Sequence, residues 1–576
     1  MIPSALLRRL LFVIPLGFLA VFYFYPLSRI VLFSFLPDGI GGTWDPEKLS
    51  RLFHSPVYLN IIWFTIWQAA LSTIITLTLA LPGAYVFVHY RFPGKNILQG
   101  LMSVPFVLPT VVTAAAFRAL LGTNGVLNTW LMNLFDLTQA PIQLDQTIYF
   151  FLIAHVFYNY TLVLRIVSSY WAGLSPDIQT AATMLGASPW QSFRKITLPL
   201  LLPAIGSAAL LVFIFCFTSF GVILILGGPG YATIEVEIYR QSVQLFNLPM
   251  AAALSLIQLG INFLLMWIHA GLSRTSNVSF FGNPANIRDT VLARRGPRIM
   301  VSANVIFMSL LLMTPLAALL LRSISGSNGI TLAYYTALFS RGSDSIFFIE
   351  PITAVGNSLG FALCAMTVAL VLGVAASSFL AAARKDGKHK KAKRYSQYSL
   401  YSRYSLYSFW DAIIMLPLAT SAVTLGFGYI ITLNTPPLNL RDSIFLVIIA
   451  HALVAFPFVV RCILPSLRQI PDSLRHAAAV LGASPFQVWR SIDMPLISRA
   501  LLVGAIFAFL ISMGEFGASA FIVRPHTPTM PVAIFRFLGQ PGDLNYGQAM
   551  AMSSLLMLVS CCSFWGLEKL GRSHLR

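Results

Sequence analysis

Few side chains in this sequence could do chemistry. Its 576 residues include 19 Asp and Glu, 9 His and 5 Cys. Glu515 sits inside an otherwise uncharged stretch, 500–523. An acid within a membrane span is costly and usually faces a cavity or pathway. Its chemistry there would be to meet a passing cation, or to close a salt bridge with Arg524. Gln258 and Asn262, one turn apart, could line the same path or hydrogen-bond a neighbouring helix. Glu235 and Glu237 read as residues near the outer mouth, in contact with a solute, with a basic patch on a delivering protein, or with water in an ordinary solvated loop. His155 and His451 have no carboxylate or thiol beside them in sequence, so they read as packing residues rather than metal ligands. The five cysteines (Cys216, Cys364, Cys462, Cys561, Cys562) fall in apolar stretches, odd in number and without metal-ligand spacing. No disulfide framework and no metal site is expected. Neither HExxH, paired catalytic carboxylates nor the phosphate-cradling GxxxxGK[ST] occurs, so no catalytic residue and no ATP hydrolysis is expected in this chain.

The elements that must position these residues follow from composition. The chain is 57% hydrophobic and only 10% charged, with a mean hydropathy of +0.77. A soluble domain carries about 25% charge, so an ordinary water-soluble or disordered protein is excluded. A spanning helix needs about 20 apolar residues. Stretches free of Asp, Glu, Lys and Arg run through 10–28, 52–90, 96–117, 146–164, 196–234 and 241–273. A second series runs through 299–321, 351–383, 412–440, 443–460, 500–514 and 544–567. The reading is an all-α polytopic membrane protein of about twelve transmembrane helices. With the N-terminus inside, the interior loops hold 26 of the 38 Lys and Arg and 7 of the 19 acids. Positive charge collects inside, which places both termini in the cytoplasm. The formal net charge of +19 is then a topology signal, and no nucleic-acid partner is expected.

An internal repeat organises the chain. AATMLGASPWQSFRKITLPLL (181–201) returns as AAAVLGASPFQVWRSIDMPLI (477–497), a shift of 296. At the same shift His155 meets His451, Ser219 meets Glu515, Phe220-Gly221 meets Phe516-Gly517, and Tyr239-Arg240 meets Phe535-Arg536. Two homologous halves of six spans are expected: a first domain over 1–275, a cytoplasmic linker over 276–297 and a second domain over 298–576. Parallel halves leave a path between them. A basic run and a Tyr-Ser repeat over 385–408 have no counterpart in the first half and read as a solvated loop, touching anionic lipid, or as a regulatory segment.

The repeated segment lies in the loop between the fourth and fifth spans of each half. Its chemistry predicts two short helices joined at a sharp turn. Asp177 and Asp472 are candidate N-caps of the first helix, and Gly186 and Gly482 are suited to the left-handed conformation that ends it. Ser188-Pro189-Trp190-Gln191 and Ser484-Pro485-Phe486-Gln487 then supply capping-box starts for the second. Ala181-Ala182 and Ala477-Ala478 would let another surface approach closely.

These segments look like the signature loop of inner-membrane permeases of ATP-binding-cassette importers. That pattern is Glu-Ala-Ala, then Gly after three residues, then Ile-x-Leu-Pro. The first half offers Ala181-Ala182, Gly186 and Ile196-Thr197-Leu198-Pro199; the second offers Ala477-Ala478, Gly482 and Ile492-Asp493-Met494-Pro495. Thr180 and His476 stand where the family has Glu. The resemblance implies a type I importer-like fold in which Ala181, Ala182, Gly186, Ser188, Pro189 and Ala477, Ala478, Gly482, Ser484, Pro485 couple to two copies of a cytoplasmic ATPase subunit. It also implies an extracytoplasmic solute-binding protein and location in the cell inner membrane. ATP and Mg would then sit on the ATPase, with no cofactor in this chain.

Fusion of two permease domains is typical of relatives that import thiamine and of those that import ferric iron, and residues 216–241 resemble the thiamine type. The path residues in this reading are Ser219, Glu515, Gln258 and Asn262, moving a thiamine-like cation, or else ferric iron, by alternating access. The competing class is a secondary transporter driven by an ion gradient, which would need several ionisable residues within its spans.

Overall fold

A computed structural model describes residues 5–35, 53–276, 290–291, 295–326, 329–340, 350–389, 409–434 and 438–572. Among these, eleven helices are long and apolar enough to cross a bilayer. A twelfth span is a bent pair, Phe409–Ala419 with Ala422–Thr432, turned through 90°. The chain is thus an all-α multi-pass membrane protein. Its only strands among the described residues are two-residue pairs, such as Tyr90–Arg91 against Thr290–Val291. Most of the basic and Tyr-Ser segment 385–408, from 390 on, and most of the expected linker, 277–289 and 292–294, lie outside the described residues.

In the first half, α1 (Ala5–Leu19) and α2 (Tyr25–Phe35) form one span, followed by α3 (Pro56–His89), α4 (Thr110–Leu121) and α5 (Ile148–Ala172). Two short helices come next, α6 (Pro176–Met184) and α7 (Pro189–Ser192). The half closes with α8 (Leu198–Phe217), α9 (Gly221–Leu226), α10 (Ile234–Tyr239) and α11 (Leu248–Ser276). The second half repeats the order. It has α12 (Arg295–Ile324), α13 (Thr353–His389), α14 (Ala422–Thr432), α15 (Ile444–Gln469), α16 (Asp472–Val480) and α17 (Pro485–Val488). Then come α18 (Met494–Gly514), α19 (Ser519–Ile522), α20 (Met530–Leu538) and α21 (Asp543–Arg572).

The third span differs from the uninterrupted stretch 96–117. Two short helices, Lys95–Leu101 and Ser103–Val107, precede Pro109, and only then does α4 begin. Prolines 105 and 109 cannot donate to a continuing helix, and a residue before proline is pushed to extended backbone; Leu108 obeys, with φ −68° and ψ 137°. The second half breaks at the matching place, where the Ser421 side chain caps α14 by accepting from Val423 N.

Packing between the halves is reciprocal. Helix α2 packs on α14 and α11, while α12 packs on α4 and α21. Likewise α10 packs on α14, and α20 on α4. Since α12, α14, α20 and α21 hold in the second half the places of α2, α4, α10 and α11, each of these contacts, within a half or between halves, has its counterpart. That is the mark of a two-fold interface. Hydrogen bonds run across it: Tyr23 Oη lies 2.6 Å from Thr420 Oγ1, Tyr429 Oη donates to Phe22 O at 2.9 Å, and Arg118 Nη1 donates to Leu538 O at 3.2 Å.

Candidate functional site

The two repeated turns are built alike. Gly186 has φ +83° and Gly482 φ +84°, the left-handed conformation that glycine adopts without cost. Ser188 Oγ accepts from Gln191 N at 3.2 Å and Gln191 Oε1 accepts from Ser188 N at 3.0 Å. Ser484 and Gln487 repeat this box at 3.3 and 2.7 Å, so α7 and α17 each start with two donors satisfied. The aromatic pairs match as well: Trp190 stacks on Phe193 at 5.8 Å and Phe486 on Trp489 at 5.9 Å. A π turn follows in each copy, Phe193–Thr197 and Trp489–Asp493. The aspartates act differently from expectation. Ser175 is the N-cap of α6, accepting from Asp177 N, and Pro471 holds that place before α16. Asp177 and Asp472 instead lie in the first turn, where negative charge complements the helix dipole.

At the bend of each turn, apolar side chains stand out. Met184 and Leu185 are 86% and 89% exposed; their counterparts Val480 and Leu481 are each 87% exposed. These four lie between candidate spans, and the two turns present them in matching positions. Ala182 turns inward, whereas Ala181, Ala477, Thr180 and His476 are exposed. The second copy alone adds an ion pair, Arg475 Nε to Asp493 Oδ1 at 2.7 Å, which ties α16 to the π turn behind it.

Between the halves, the breaks after α8 and α18 bring a cluster of rings together. Phe220 stacks on its repeat partner Phe516 with centroids 5.3 Å apart and planes at 21°. Tyr239 packs against Phe220 at 5.5 Å and edge-on against Phe521 at 5.5 Å, and Phe535 meets Phe516 at 5.4 Å. The 20 residues of α8 separate this layer from the repeated turn by about 30 Å. These rings from both halves therefore meet at one level of the interface.

Next to this layer each half holds a buried histidine. His155 lies 3.0 Å from Ser72 Oγ and 2.9 Å from Ser219 Oγ. His451 lies 2.8 Å from both Ser512 Oγ and Ser519 Oγ. Ser519 gives its single proton to Glu515 Oε2 at 2.7 Å, so it accepts from His451 Nε2, which fixes the ring tautomer. Glu515 also accepts from Ala518 N at 2.8 Å and Ser519 N at 2.9 Å. Its oxygens hold the start of α19 with three of the roughly four lone-pair sites a carboxylate offers, and His451 Nε2 lies 3.4 Å from Oε2. Arg524 does not pair with it: Arg524 Nη2 lies 2.8 Å from Asp442 Oδ1.

The structure changes the reading of Glu235 and Glu237. Neither lies in a solvated loop, for both are buried. After α9 the chain turns back, and α10 runs antiparallel to α3. Ile234 N donates to Thr65 Oγ1 at 3.0 Å, and seven residues on Gln241 Nε2 donates to Tyr58 Oη at 3.3 Å. Gln258 Nε2 donates to Glu235 Oε1, and Ser421 Oγ of the second half donates to Glu235 Oε2 at 2.8 Å. Gln258 and Asn262 are both buried on α11, and the side-chain oxygens Gln258 Oε1 and Asn262 Oδ1 have no hydrogen-bond partner among the described residues. Gln258 thus joins Glu235 directly. Ser219 and Glu515 join the histidines instead. Chain-local patterns gave no sign of Glu235's burial, although Glu235/Tyr239 and Glu237/Gln241 at helical spacing argue against a loop.

Comparison with known proteins accords with this architecture. The model of the family described as "Binding-protein-dependent transport system inner membrane component" matches residues 75–277. The thiamine transport system permease protein ThiP of Brucella abortus is 26% identical over 537 residues, covering 91% of this chain and 89% of its own. That of Haemophilus influenzae is 26% identical, covering 95% and 93%, and that of Escherichia coli 25%, covering 89% of each. A solved bacterial ABC transporter involved in alginate import aligns with 47% of this chain and 95% of its own at 18% identity, with a TM-score of 0.40. The family match in the first half, the repeat that carries its pattern into the second, and relatives matched along nine-tenths of the length lead to one assignment. Residues 75–277 carry the domain of the binding-protein-dependent transport family, and along nine-tenths of its length the chain is similar to permeases of the ABC importer type.

Proposed function

We propose that this permease moves a thiamine-like organic cation inward, powered by ATP hydrolysed on two separate cytoplasmic subunits. The observation that carries the reading is the pair of matched knuckles, Met184-Leu185 and Val480-Leu481, on turns with the same cap, glycine and aromatic stack. A two-fold motor needs two equivalent footholds, and an ion-driven transporter needs none. Each foothold continues through a π turn into a helix that ends at the aromatic layer. Rotation imposed on α6–α7 and α16–α17 would therefore reach Phe220 and Phe516 along α8 and α18. Positive charge concentrated on the loops of that side supports a cytoplasmic position for the footholds and both termini. The halves would be 1–275 and 298–576, joined through 276–297. An extracytoplasmic binding protein would deliver solute to the opposite face. Thiamine is favoured over ferric iron by the names of the relatives, and Ser219, Gln258, Asn262 and Glu515 would flank its route.

The test is uptake of labelled thiamine into proteoliposomes holding the chain with its co-purified partners. Uptake should require internal-face ATP and survive proton uncoupling. Uptake that persists without ATP and stops on uncoupling would transfer the protein to the ion-driven class.

A further inference from the structure

We infer that Glu235 is the cation-recognition residue of the path, a carboxylate that Ser421 caps in the closed arrangement and that receives the solute's positive charge when the halves part. This rests on the proposed cationic solute. Three independent features support it. Glu235 is fully buried yet has no salt-bridge partner among the described residues. A buried carboxylate without a cation is expensive, and its two bonds are to neutral donors, Gln258 and Ser421. A purely structural site would do as well with glutamine.

The surroundings are short of donors. Gln258 Nε2 donates to Glu235, and Gln258 Oε1 and, one turn along α11, Asn262 Oδ1 are buried without a hydrogen-bond partner among the described residues. No cation among the described residues pairs with the acid there.

The position also fits a path. Ser421 belongs to the second half, so one of the two bonds to Glu235 crosses the interface and must break when the halves separate. Tyr239, four residues on, shares the same face of α10 and meets Phe521 of the second half. Because α10 runs back toward the outer ends of α3, Glu235 lies one turn nearer the repeated turns than the aromatic layer does. A solute that passes Phe220, Tyr239, Phe516 and Phe521 reaches Glu235 next. Rings followed by a carboxylate suit a flat quaternary aromatic cation, which gains from ring faces and then from the acid.

The experiment compares wild type, Glu235→Gln and Glu235→Asp in the assembled transporter, reading thiamine uptake, basal ATP hydrolysis and thermal unfolding. Glu235→Gln should cut uptake about 10- to 100-fold, the scale of a lost charge-assisted contact. It should leave basal hydrolysis intact and keep the unfolding temperature, since glutamine has the same shape and can still accept from Ser421 and Gln258. Glu235→Asp should restore part of the uptake. Uptake by Glu235→Gln equal to wild type overturns the inference while thiamine transport stands. Parallel loss of uptake, hydrolysis and thermal stability also overturns it, because the role would then be structural. If wild type takes up no thiamine, the proposed solute fails first and the inference falls with it.

Discussion

Valine at Gly186 or Gly482 should damage coupling without damaging assembly. Both glycines have φ near +83°, and a Cβ built on either meets nothing within 4 Å. No clash arises, so the whole penalty is torsional. An L-residue in this region loses about 1–2 kcal/mol, and a β-branched one sits at the upper end. That penalty lowers the ratio of native to alternative turn conformations about 5- to 30-fold. Single Gly186→Val and Gly482→Val variants should each lose ATP-coupled uptake by up to about that factor, with amounts in the membrane unchanged. Asparagine tolerates the left-handed region far better, so Gly186→Asn and Gly482→Asn should stay close to wild type. The assay is initial uptake in proteoliposomes, normalised to inserted protein. Wild-type uptake by the valine variants would refute the reasoning, as would asparagine variants failing as badly as valine.

Other outcomes follow from the interface and its acids. Glu515→Ala strips the acceptor from Ala518 N, Ser519 N and Ser519 Oγ in a buried site and should cost about 3 kcal/mol or more; an unchanged unfolding temperature in detergent would contradict this. Phe516→Ala removes half of the ring stack between the halves. It should admit solute into liposomes without ATP, and a variant as tight as wild type would show that the seal lies elsewhere.

What could be read from the sequence divides along the range of the interactions. The capping boxes at Ser188 and Ser484 and the left-handed Gly186 and Gly482 depend on residues three or four apart, so their chemistry was visible in a short string. The spans were visible because a bilayer demands about 20 apolar residues at a time. The same window test misplaced the third span, for it counts charge and ignores what Pro105 and Pro109 do to a backbone ladder. It also ended a span at Glu235, whose burial depends on a return of the chain beside Thr65 and on Ser421 from the other half. Arg524 and Glu515 are nine residues apart and of opposite sign, yet Arg524 turns to Asp442 while Glu515 caps its own helix. Sequence distance carries no information about such choices, which tertiary packing makes.

The most direct test of the central claim is crosslinking at the two knuckles. In a cysteine-free background, Leu185→Cys and Leu481→Cys should each bond to a cysteine placed in the docking cleft of one ATPase subunit. Both links should form on the same permease, with a yield that changes when nucleotide is trapped. A stable complex in which neither position links, while other loops do, would mean that the motor grips the permease elsewhere.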